Sequence, residues 1–113
     1  MNEKARSYLL KAYAYAKQAF SRCFEDKTTG APADRHAALV MAAACTAQYA
    51  AAAAVYLSEN KEPDQAVLKL FRCFEILAAE VRTVYHQEEP NATSLFFAIN
   101  DLESAMAANG FSV

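Results

Sequence analysis

Apolar positions return along the 113-residue chain at helical spacing in four blocks, separated by three short polar stretches. In the first block Leu9, Tyr13, Ala16, Phe20 and the pair Cys23/Phe24 fall on one face of a helix over about residues 2–25, with Lys4, Lys11, Lys17 and Gln18 on its wet side. Asn2 has the side chain of an N-cap. In the third block Val67, Phe71, Phe74, Ala78, Val81 and Tyr85 alternate intervals of four and three, and Leu70, Leu77 and Val84 widen the stripe, which predicts a helix over about 63–86. The fourth block places Leu95, Ile99, Leu102 and Met106 inward, with Phe96 beside them, over about 92–109. Asn109-Gly110-Phe111 spells a left-handed C-cap with an apolar residue just beyond it.

The second block has no such stripe. Leu39 to Leu57, LVMAAACTAQYAAAAAVYL, carries no charge, glycine or proline and is mostly alanine, the strongest helix former. It predicts a helix over about 33–58 that is apolar nearly all the way round, with Thr46 and Gln48 as its clearly polar members. A helix of that kind has to be surrounded. Its 19 uncharged residues reach the length of a membrane span. Alanine is nevertheless a weak membrane residue, and Thr46, Gln48, Tyr49 and Tyr56 fall at inconvenient depths, so the stretch reads as the centre of a protein core and no membrane is expected as a partner.

The polar stretches 26–32, 58–62 and 87–91 hold the turn formers, with Gly30, Pro32, Pro63 and Pro90 in or beside them. Loops this short set successive helices antiparallel. The long helices, at ~1.5 Å per residue, match at roughly 36 Å. The expected fold is therefore all-α: one domain over residues 1–113, an antiparallel up-down-up-down four-helix bundle. In a square bundle every helix keeps an outer face, and helix two has almost nothing polar to put there. Self-association through Ala44, Gln48, Ala51, Ala52 and Val55 follows as an expectation.

Composition narrows the chemistry. Lys and Arg number 11 against 13 Asp and Glu, so no basic field invites nucleic acid. Residues 1–36 carry +3 and residues 57–113 carry −5, a split explained by packing the first helix beside acidic later ones. The three cysteines, Cys23, Cys45 and Cys73, are odd in number, lack C-x-x-C spacing and sit in apolar helical patterns, reading as reduced core thiols of a cytoplasmic protein. Arg-Cys-Phe-Glu occurs at 22–25 and at 72–75, at a helix end and within a helix, so the frames do not match as a duplication. His36 and His86 stand at helix ends without ligand spacing, and two isolated glycines make no phosphate loop. No catalytic residue, metal or cofactor is assigned.

Tyrosine supplies the remaining signal. Tyr8 and Tyr15 lie seven apart in helix one, and Tyr49 and Tyr56 seven apart in helix two. An antiparallel hairpin would bring Tyr8 level with Tyr56 and Tyr15 level with Tyr49, a four-ring seam suited to a contact surface. The favoured function is thus a non-catalytic interaction module, an adaptor or chaperone-like homodimer that takes a partner helix in a groove. The alternative is a small-molecule-binding or enzymatic bundle in which Glu75, Tyr13, Tyr49 and Cys73 converge on a pocket. A buried polar cluster would mark the second, an exposed apolar groove the first.

Overall fold

In the computed structural model, described here for residues 1–86 and 92–113, the chain forms four helices: α1 (Glu3–Arg22), α2 (Arg35–Glu59), α3 (Gln65–Tyr85) and α4 (Ala92–Ala108). They build an all-α four-helix bundle of 46 × 21 × 21 Å. The third loop, residues 87–91, lies outside the described residues, and with it Asn91, which with Thr93 has a side chain suited to cap the fourth helix.

Side-chain caps decide where the helices begin. Asn2 accepts from the Ala5 N–H at 2.8 Å, as its position suggests. Asp34 accepts from the Ala37 N–H at 3.0 Å and Asp64 from the Ala66 N–H at 2.8 Å, so α2 and α3 start after these aspartates, three residues beyond Pro32 and two beyond Pro63. An aspartate side chain satisfies one of the free N–H groups of a first turn, a service proline lacks. Helix α1 stops at Arg22, short of residue 25. Asp26 turns the chain there, accepting from the Thr28 N–H at 2.8 Å, and Gly30 takes φ +74°. The Asp34 N–H then closes the loop on the Arg22 carbonyl at 2.9 Å.

Neighbouring helices meet in opposed residue order. Asn2 at the start of α1 donates to Glu59 at the end of α2, and Tyr56 and Tyr49 of α2 meet Phe71 and Phe74 of α3 in turn. Arg6, Tyr13 and Phe20 of α1 reach Asn109, Glu103 and Phe96 of α4. The closest pair is α1 with α2; α1 and α3 also meet across the middle, whereas α2 and α4 do not touch. Alanine explains that intimacy: Ala5, Ala12, Ala16 and Ala19 of α1 and Ala38, Ala42 and Ala52 of α2 are all buried, and small side chains let helix axes approach closely. Of the largest fully buried side chains, Leu9 comes from α1 and Phe74, Leu70, Leu77, Leu95, Leu102 and Met106 come from α3 and α4.

The end of α4 is the fold's clasp. Gly110 at φ +82° sends its own N–H to the Ala107 carbonyl and the Phe111 N–H to the Met106 carbonyl, each at 3.0 Å, the paired bonds of a left-handed helix terminus. Phe111 is buried beneath Arg6, whose guanidinium lies 4.1 Å from the ring centre and donates to the carbonyls of Asn109 and Gly110 at 3.2 and 3.3 Å. Asn109 donates onward to the Ala66 carbonyl at 3.1 Å, tying in α3. Arg6→Ala is expected to lower stability by about 1–2 kcal/mol, measured by urea unfolding followed by circular dichroism; an unchanged midpoint would show that the clasp contributes nothing.

Helix α2 departs from expectation. The other three helices do not surround it: within the chain it buries Ala38, Ala42, Cys45, Ala52 and Tyr56, all on one side. With α4 at the opposite corner, only α1 and α3 remain to cover it.

Candidate interaction surfaces

The uncovered side of α2 is a single line. Val40, Ala43, Ala47, Ala50, Ala54 and Leu57 are exposed at intervals of three, four, three, four and three, which is one helical face, and not one of them is polar. Val40 is 62% and Leu57 48% exposed. Among the described residues α2 is also the one helix long and apolar enough to cross a membrane by length and composition.

This line is rotated from the face expected from sequence. Ala44, Gln48, Ala51 and Val55 are half-buried and flank it on one side. Ala52, at 0% exposure, belongs to the core, as does Tyr56 at 4%, so neither can meet a second molecule. One helical residue turns the wheel by about 100°, enough to carry Ala52 inward while Ala51 stays on the flank. The Gln48 Oε1 is buried without a hydrogen-bond partner, a defect of about 1–3 kcal/mol for a neutral acceptor.

The tyrosine seam is replaced by a different pairing. Tyr49 stacks on Phe74, ring centres 5.8 Å apart and planes 14° apart, and Tyr56 meets Phe71 edge-on at 5.9 Å. The Tyr56 hydroxyl accepts from the Asp64 N–H at 2.8 Å. Both rings are thereby turned to α3. Tyr8 and Tyr15 are half-buried on the flank of α1 away from the residues that touch α4, and no two tyrosine rings stack among the described residues.

A second apolar surface lies between α1 and α4. Phe20, Phe24 and Phe96 form a triangle with ring centres 5.2, 5.2 and 5.7 Å apart, and Phe96 remains 51% exposed. Beside it opens a cleft of about 370 Å³ lined by Lys17, Phe20, Ser21, Phe96, Ile99, Asn100 and Glu103. The Tyr13 hydroxyl donates to Glu103 at 2.6 Å across the same seam. Burial first, then this bond and the negative charge, push the Tyr13 hydroxyl up to about 12, so it stays protonated and is no base at neutral pH. The cluster was legible as Phe20 and Phe24 near the end of α1 and Phe96 near the start of α4, positions that become level when those helices run in opposite directions.

The residues proposed for a catalytic pocket do not converge. Glu75 is exposed, Tyr49 faces Phe74, and Tyr13 is committed to Glu103. No polar or charged residue is buried among those described. Burial pushes the thiols of Cys23 and Cys45 up to about 11 and about 12, and that of Cys73 upward as well, which suits packing and not nucleophilic attack. Near the α1–α2 loop lies a hollow of about 640 Å³. The two aspartates lining it, Asp26 and Asp34, are spent on backbone N–H groups. His36 comes within 3.5 Å of the Tyr85 hydroxyl, and Tyr85 also packs against His86, so the two histidines flank one ring at the bundle's end. Among the described residues no group of three or more His, Cys, Asp or Glu is placed to hold a metal ion. Comparison with known proteins finds no family model, curated protein or solved structure that matches the chain.

Proposed function

We propose that the chain is a non-catalytic helical interaction module, an adaptor or chaperone-like protein of the cytoplasm that works as a homodimer. One observation carries this reading: the outward side of α2 is apolar from Val40 to Leu57 with no polar residue to hold water there. An uncovered face of that composition marks a contact with another protein. The aromatic cleft between α1 and α4, remote from α2, is the groove in which a partner's amphipathic helix docks, with Phe20, Phe24 and Phe96 as its floor. The same cleft also favours the alternative, a small apolar ligand held between Lys17 and Glu103, but its open, partly exposed floor fits a helix better than an enclosed molecule.

The test is a charge on the outward line. Ala50 is exposed, so Ala50→Glu leaves the isolated fold intact. Light scattering is expected to find the parent protein above the 12.4 kDa of one chain and the variant at 12.4 kDa, with equal helix content by circular dichroism. Equal masses for the two proteins would remove α2 as the contact.

A further inference from the structure

A backbone amide can attack the side chain of an asparagine just before it, and the residue that carries the amide decides how easily. Of the five asparagines only Asn109 precedes a glycine, Gly110, which has no side chain to keep its nitrogen from the Asn109 Cγ. The pair sits in the clasp that ends α4, and the clasp holds every group the reaction has to move. The Asn109 Nδ2 donates to the Ala105 carbonyl at 2.8 Å and to the Ala66 carbonyl of α3 at 3.1 Å. The peptide between Asn109 and Gly110 is fixed on both sides: its oxygen accepts from Arg6 at 3.2 Å, and its N–H donates to the Ala107 carbonyl at 3.0 Å. Arg6 also bonds the Gly110 carbonyl at 3.3 Å and covers the ring of Phe111.

We infer that Asn109 is a self-modification site that the clasp keeps shut. To close a ring, this peptide must swing about the Asn109 Cα–C bond, and its nitrogen must give up its proton. In the closed clasp that swing breaks the bonds to Arg6 and Ala107 together, and the two bonds of Nδ2 hold the side chain still. When the clasp opens, the Gly110 nitrogen loses its proton to solvent and bonds to the Asn109 Cγ. The Cγ–Nδ2 bond breaks, and the nitrogen takes a proton from solvent and leaves as ammonia. Water then opens the cyclic imide at one of its two carbonyl carbons. Attack at Cγ leaves an aspartate; attack at the main-chain carbon leaves an isoaspartate, in which the chain runs on through the former side chain.

Neither product fits the clasp. An aspartate carboxylate replaces two donated bonds with an acceptor facing the carbonyls of Ala66 and Ala105, at the negative end of the α4 dipole. An isoaspartate adds a carbon to the main chain between the carbonyls that Arg6 grips and the buried Phe111. One opening that ends in reaction therefore leaves α4 unlatched from α1 and α3, and the change is not reversed by closing.

Peptide mapping by mass spectrometry of the whole chain, incubated at constant neutral pH, reads the reaction at Asn109. Conversion is expected to be at least about ten times slower in the folded chain than in concentrated urea. Folded Arg6→Ala is expected to convert about 5 to 30 times faster than the folded parent, following the population of the open clasp. Ile99→Val is the control, a core change of similar cost on α4 about 15 Å from Asn109, expected to stay within about two-fold of the parent. Equal rates in the folded and unfolded parent would overturn the inference, as would equal acceleration by Arg6→Ala and Ile99→Val, which assigns the reaction to unfolding of the whole chain. Asn109→Asp copies one product: its urea midpoint is expected below that of the parent at neutral pH and to recover as pH falls through the carboxylate range, where the acid regains a proton to donate. A midpoint equal to the parent's at neutral pH would show that the modification unlatches nothing.

Discussion

Phe74→Ala is expected to lower the stability of the folded chain by about 3–5 kcal/mol. Phe74 is the largest side chain with no exposure at all, and it stands on α3, which like α1 touches each of the other helices. Its ring is one half of the stack with Tyr49, so removing it both opens a cavity and leaves the tyrosine ring without its partner on α3. A domain of this size holds roughly 5–15 kcal/mol in total, so the loss takes a large part of it. Urea unfolding followed by circular dichroism measures the effect, and Ile76→Ala, two residues along the same helix at 43% exposure, is the control, expected to lose less than about 1 kcal/mol. Similar losses for both variants would mean that α3 is not packed as described.

Ala52→Leu is expected to cost about 1–3 kcal/mol. Ala52 has no exposure, and α2 is covered only by α1 and α3, so added carbon atoms have no solvent to enter and must push those helices apart. The neighbouring change Ala51→Leu, on the half-buried flank, is expected to leave stability within about 0.5 kcal/mol. The pair separates two accounts of α2. If the helix presents its outward line where the structure puts it, Ala52→Leu weakens the single chain. If Ala52 instead belonged to a contact between copies, the same change would alter the mass of the protein and spare its unfolding midpoint.

The contrast between Ala51 and Ala52 also shows how far sequence reaches. Helices α1, α3 and α4 each mix apolar and polar positions, and the period of the mixture says which side is inward; Leu9, Phe74 and Leu102 are buried as that period requires. In α2 nearly every position is apolar, so the pattern has no phase. Composition announces that the helix needs covering and is silent about which side its own chain covers. The phase of α2 is therefore set by its neighbours, and Ala52, expected on the outer face, is buried.

The tyrosines failed for a related reason. Spacing of seven puts Tyr49 and Tyr56 on one side of α2, but the direction of their rings is decided by what lies across from them, and Phe74 and Phe71 of α3 offer a better surface than two tyrosines of α1. The aromatic triangle of Phe20, Phe24 and Phe96 could be read from helix direction alone, because all three lie at one end of the α1–α4 seam. The ends of the helices were legible only to within a turn. Proline and aspartate both favour a helix start, and the structure lets the aspartate side chains, Asp34 and Asp64, act as the caps.

The reading of this chain as a homodimer depends on the outward line of α2 being closed by a second copy of itself. Sedimentation equilibrium of the unmodified protein over a range of concentrations tests that directly. The account predicts a mass that climbs reversibly from the 12.4 kDa of one chain toward twice that value and levels off there. A mass fixed at 12.4 kDa across the range, with α2 fully helical, would contradict it.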